Sequence, residues 1–127
     1  MATTAQYAAT ARTATTSVST ANTNRNGTGT IATVFTAGSS GSRIDDIFIV
    51  ATGTTTAGVV RLFVNDGTTS WLWQEIIVPA ITPSTSVAVF SAALLNQSLI
   101  LENGYSLRAS TNNAETFNIL VTRAGDF

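Results

Sequence analysis

The chain has 127 residues, of which 10% are charged, and its formal net charge is −1. It contains neither cysteine nor histidine, and its six positive residues are all arginines, scattered singly. That composition excludes disulfide staples, thiolate metal sites and the commonest general base.

Without a basic run the chain cannot neutralise a phosphate backbone, so nucleic acid is not an expected partner. No apolar run approaches the roughly 20 residues of a membrane span, and the first residues lack the basic start and apolar middle of a signal peptide. No membrane partner is expected. The length suits one domain with a core of its own.

Residues 1–27 are almost wholly Thr, Ala, Ser and Asn. Thr, stiff at χ1, erodes the helix that Ala favours, and no apolar stripe emerges. The expectation is an extended N-terminal arm over 1–27 that becomes ordered on a neighbouring subunit, followed by a β domain over 28–127.

From Thr28 the pattern becomes short β segments between turn residues. Residues 30–37 (TIATVFTA) alternate, Gly38 to Gly41 break them, and residues 44–52 (IDDIFIVAT) read as the most apolar strand, covered on both faces. The centre of the chain is residues 57–78, AGVVRLFVNDGTTSWLWQEIIV. Val60, Leu62 and Val64 alternate with Arg61 and Phe63. Asn65-Asp66-Gly67 reverses the chain, and Pro79 ends the second strand. An odd loop would place Arg61 opposite Glu75 and Phe63 opposite Trp73, pairing charge with charge on an exposed face. Residues 85–92, 98–102, 105–109 and 116–123 supply the remaining strands, and Ala92 to Asn96 is the one stretch that allows a helical turn.

About eight short strands with Gly, Asn and Pro turns mean an all-β antiparallel sandwich, jelly-roll-like, with an immunoglobulin topology equally compatible with the spacing. The expected core is Ile31, Val34, Phe35, Ile47, Phe48, Ile49, Val50, Val60, Leu62, Val64, Leu72, Ile76, Val87, Val89, Leu99, Leu107, Ile119 and Val121.

Catalytic groups are scarce. Asp45-Asp46 is the one adjacent carboxylate pair, and neighbours on a regular strand point to opposite faces, so the pair reads as a solvated strand entry. No nucleophile–base arrangement is available without His, Lys or Cys. No enzyme activity and no cofactor or metal is expected. Trp71, Trp73 and Tyr105 are the candidate contact residues: aromatics gather at subunit interfaces and also stack on sugars.

Four stretches taken together are distinctive: ANTNRNGTGT (21–30), VFTAGSSGSRIDDI (34–47), ATGTTTAGVVRLFVNDGT (51–68) and GYSLRASTNNAETFNIL (104–120), with a terminal Gly-Asp-Phe. They resemble a family of small virion structural proteins encoded in tailed-phage and prophage genomes. The resemblance runs from about residue 21 to the C-terminus and brings no catalytic residue. It implies a many-copy virion component, assembled in the host cytoplasm, whose partners are the major capsid protein or other virion proteins. The first expectation is a capsid decoration (cement) protein that stabilises the head as a homo-oligomer, a trimer. The alternative is a tail- or fibre-associated attachment module that grips carbohydrate.

Overall fold

The computed structural model describes residues 8–127. Its strands, numbered in chain order, form two facing antiparallel sheets, and the described residues contain no helix. The first sheet runs β1 (Thr10–Val18), β9 (Phe117–Asp126), β3 (Ser42–Ala51). Along the far edge of β3 lie, end to end, β7 (Leu99–Leu101) and β6 (Ser91–Leu94). The second runs β2 (Ala32–Thr36), β8 (Ser106–Thr111), β4 (Gly58–Asn65), β5 (Ser70–Val78). The chain changes sheet at every connection except β4–β5 and β6–β7. The fold is a β-sandwich.

The inner faces meet in one core that includes Phe35, Ile44, Ile47, Ile49, Val60, Leu62, Leu101, Leu107, Phe117, Ile119 and Val121, all essentially solvent-free. Phe90 stands edge-on to Phe117, with ring centroids 6.2 Å apart. Five members of the expected core lie outside it: Leu72 and Val87 are 40% and 46% exposed, and Ile31, Phe48 and Val50 are half-buried. Phe48 and Val50 are half-buried because β3 alternates and is covered on one face only. Residues 85–90 are largely irregular, and the expected helical turn at Ala92 to Asn96 is instead the end of β6 and a loop.

The expected arm is corrected most. Thr10–Val18 is an edge strand of the sandwich, paired with β9 along its length. Thr suits a strand whose outer side faces water, and the inward positions need only small groups because β2 and β9 supply the bulk. Ala14 packs on the core, Val18 is buried, and the Arg12 guanidinium lies 4.1 Å from the Phe35 ring centre. Residues 1–7 of the expected arm fall outside the described residues.

Residues 19–31 do not hang free either; they form a strap across the outer face of the second sheet. Ala21 bridges Thr111 of β8, Asn22 accepts from Arg61 of β4, and Arg25 pairs with Glu75 of β5. The Asn22 side-chain amide donates to Thr28 O and Thr30 O at 2.9 and 3.0 Å, fastening the outgoing limb to the returning one. Phe63, on the same outer face as Arg61, is fully buried beneath this cover.

The hairpin register is half as expected. Val60 lies opposite Ile76, Arg61 opposite Glu75 and Leu62 opposite Gln74, but Phe63 then meets Leu72 and Val64 meets Trp71. The loop is even, not odd. Asp66 Oδ1 accepts from the amides of Thr68 and Thr69, and Asn65 Oδ1 from Gly67, which fixes a four-residue reversal. Trp73 is the extra residue that absorbs the mismatch as a bulge.

Candidate functional site

The Arg61–Glu75 pair, expected on an exposed face, is roofed by the strap. Arg61 is 2% exposed. Its Nε donates to Glu75 Oε2 at 2.8 Å, and its terminal nitrogens to Asn22 O at 3.0 Å and Asn112 Oδ1 at 3.2 Å. Glu75 also accepts from Arg25 at 2.8 Å, and this bond, reinforced by Arg61, holds its carboxyl below the ordinary value. Every strong interaction of this group closes on the protein itself. The cluster is a clasp that holds the strap on the sheet.

Asp45 and Asp46 also depart from expectation. The β3–β9 register shifts on either side of Asp46, so alternation fails there and both carboxylates reach Arg123, at 3.7 and 3.4 Å. Asp45 is fully buried, 3.0 Å from Arg43 Nε. The loop between β6 and β7 hangs from this bulge. Asn96 N donates to Asp46 Oδ1, Gln97 N to Asp45 O and Ser98 N to Asp45 Oδ1. Asn96 and Ser98 adopt φ of 55° and 50° there. These carboxylates are structural anchors, not a solvated entry.

The three aromatic candidates have three environments. Trp71 is 61% exposed, with its indole N–H on Asp66 Oδ2 at 3.1 Å. Trp73 sits at the bulge, partly buried against the core, and Tyr105 packs on the core just before β8. The bulge breaks the period of two on which a shared tryptophan face depended.

What the structure does bring together is two sheet edges. The β5 edge of one sheet and the β6–β7 edge of the other are joined by Gln74 Nε2 donating to Gln97 Oε1 at 2.7 Å. Among the described residues, seven large apolar side chains are prominently exposed, and six belong to the segment that runs from β5 to β7. They are Trp71, Leu72, Ile77, Val87, Leu95 and Ile100; Ile77 is the extreme, at 78%. From Ser70 to Leu101 the only charged residue is Glu75, and its charge is already matched by the clasp. Sequence reasoning missed Ile77, Leu95 and Ile100. The usable signal was that long run with one charge, since interface centres are depleted in charge and enriched in aromatics.

Comparison with family models, with curated proteins and with solved structures finds no match.

Proposed function

We propose that this protein is a structural subunit of a phage particle, a decoration protein that docks on the assembled head through its β5–β7 side. The observation that carries the docking is the segment from β5 to β7: six exposed large apolar groups on a run with one neutralised charge. An exposed apolar surface of this kind marks a protein contact, and an unpaired nine-residue edge strand adds main-chain groups to it. The strand order supports the jelly-roll reading, in which successive strands are dealt to two facing sheets. The particle comes from the motif resemblance, and the many-copy homo-oligomer, read as a trimer, from the same source.

A subunit that binds shell proteins only in their assembled state raises the free energy needed to take the shell apart. The test adds purified protein to particles lacking it and compares their thermal disruption. Native protein should raise the disruption temperature. Ile77→Lys, which plants a charge on the edge at a position that packs on nothing, should remove the gain while leaving the fold intact. No gain with the native protein, together with labelling confined to the tail, refutes head decoration and favours the attachment module.

A further inference from the structure

Five of the six arginines lie against carboxylates: Arg12 on Asp126, Arg25 and Arg61 on Glu75, Arg43 on Asp45, and Arg123 on Asp45 and Asp46. Arg108 differs. Among the described residues it has no carboxylate partner, and its side chain makes one hydrogen bond, from Nε to Ser106 Oγ at 3.0 Å. Its terminal nitrogens are unengaged by the protein. They are also half-sheltered, because Arg108 stands on the outer face of β8, opposite Phe63, where the strap passes.

That position is part of the lining of a cleft of about 330 Å3, at the lower end of the range for small-molecule sites, about 300–1,000 Å3. One wall is the strap at Asn26 to Gly29, the other the β4–β5 turn at Thr68 to Ser70, with Ile31 as an apolar element. No lining residue is acidic. The strap wall is preformed. Gly27 and Gly29 hold φ of 84° and 86°, and a Cβ at Gly27 would lie 2.1 Å from Ser70 O, so the strap is seated directly on β5. A Cβ at Gly29 would likewise meet the Asn22 side chain, at 2.8 Å, so both glycines let the strap pack closely and hold the wall in place. Trp71, Trp73 and Tyr105 do not line it.

The chemistry of the lining selects a ligand class. A guanidinium with free donors takes a carboxylate in a forked pair. Thr69 offers a hydroxyl able to donate and accept, as the hydroxyls of a sugar require, while the hydroxyls of Thr28 and Thr68 already donate to Asn26 and Asp66 and offer the ligand acceptor oxygens. One cation in a near-neutral surface suits a monoanion rather than a phosphate polymer. A neutral sugar would leave the guanidinium unpaired in a sheltered site. We propose that this cleft binds one unit of an acidic saccharide, with its carboxylate on Arg108 and its hydroxyls on the threonine walls. The cleft adjoins the docking side at Ser70 of β5 but shares none of its six exposed apolar residues, so neither proposal depends on the other.

The test follows backbone amide signals of the full-length 15N-labelled chain during titration with methyl glucuronide, methyl glucoside and acetate. Methyl glucuronide should give saturable shifts at Gly27, Gly29 and Thr69 and at the Arg108 Nε–H. The glucoside and acetate should each bind roughly tenfold or more weakly, since each lacks half of the contacts. Arg108→Gln should weaken glucuronide binding by a similar factor, and Thr69→Val, at an exposed position, by a few-fold with the spectrum otherwise unchanged. Absence of saturable shifts with glucuronide overturns the proposal. So does equal binding of acetate, which would make the site a simple anion hook, or undiminished binding by both variants. Should Arg108→Gln fail to fold, the ligand series and Thr69→Val decide the matter.

Discussion

Replacing Arg61 by Met separates a clasp from an ordinary surface ion pair. Methionine keeps most of the stem's volume, so the packing beneath the strap is largely retained and the polar contacts are what is lost. Two oxygens then lose their donor: the carbonyl of Asn22, a residue 6% exposed, and the side-chain oxygen of Asn112. A buried polar group left without a partner costs about 1–3 kcal/mol, so the pair should cost about 2–4 kcal/mol, Asn112 weighing less because it is half-exposed. Glu75 keeps Arg25 and some water and adds little. An exposed pair would have given only about 0.2–1 kcal/mol. Urea unfolding followed by tryptophan fluorescence reads the difference, and hydrogen exchange at the Asn22 and Asn24 amides should accelerate as the strap loosens. A loss of stability below about 1 kcal/mol, with exchange in the strap unchanged, would refute the clasp.

Gly27→Ala should destabilise far more than Gly104→Ala. Both positions have positive φ, worth about 1–2 kcal/mol to a side chain, but only the Gly27 Cβ meets backbone, at Ser70 O, whereas that of Gly104 meets nothing; equal melting temperatures would contradict this. Removing residues 1–18 should prevent stable folding, because it strips β1 from β9 and takes Val18 from the core; a truncated chain with native near-UV circular dichroism would restore the arm. Stability should be flat from about pH 5 to 8, since no histidine titrates, and should fall in acid. The carboxyls of Asp66, Glu75 and Asp126 are all depressed in the folded state, chiefly by the Thr69 amide, Arg25 and the Ser42 hydroxyl respectively. Their contribution is therefore complete above the unfolded carboxylate value, about 4, and is lost as pH falls through the lowered folded values. Melting temperature against pH measures this, and Asp126→Asn should flatten part of the acid limb.

The hairpin was legible because two signals agreed: alternation from Val60 to Val64 and a turn built from Asn, Asp and Gly. Its register was legible only as far as Gln74, because bulges leave no mark in the pattern of residue types. Trp73 looks like any other strand position. The same blindness hid Asp45, whose burial depends on a slip in β3, on Arg43 beside it and on Arg123, distant in the chain. Strand β1 was missed for a different reason. Its apolar surroundings are supplied by β2 and β9, while its own inward groups are an arginine, an alanine, a threonine and one valine. Burial of a strand is a property of its neighbours as much as of itself. Arg61 makes the same point from the polar side: its position opposite Glu75 could be read, its roof could not.

The order in which the strands are made differs from the order in which they are needed. Strand β9, the last of the nine to be made, lies between β1 and β3, so these two have no common neighbour until it emerges. Strand β2 waits in the same way for β8. Of the pairings in the sandwich, only β4–β5 joins strands that follow one another in the chain. A nascent chain can therefore form that hairpin early, but it carries open strand edges until β8 and β9 are made. Topologies dominated by such distant pairings fold in milliseconds to seconds, and open edges on many copies made together invite pairing between chains. The interval before β8 and β9 are made is thus the hazardous part of synthesis, and mixing newly made chains at high concentration should reveal it as aggregation that a slower supply relieves.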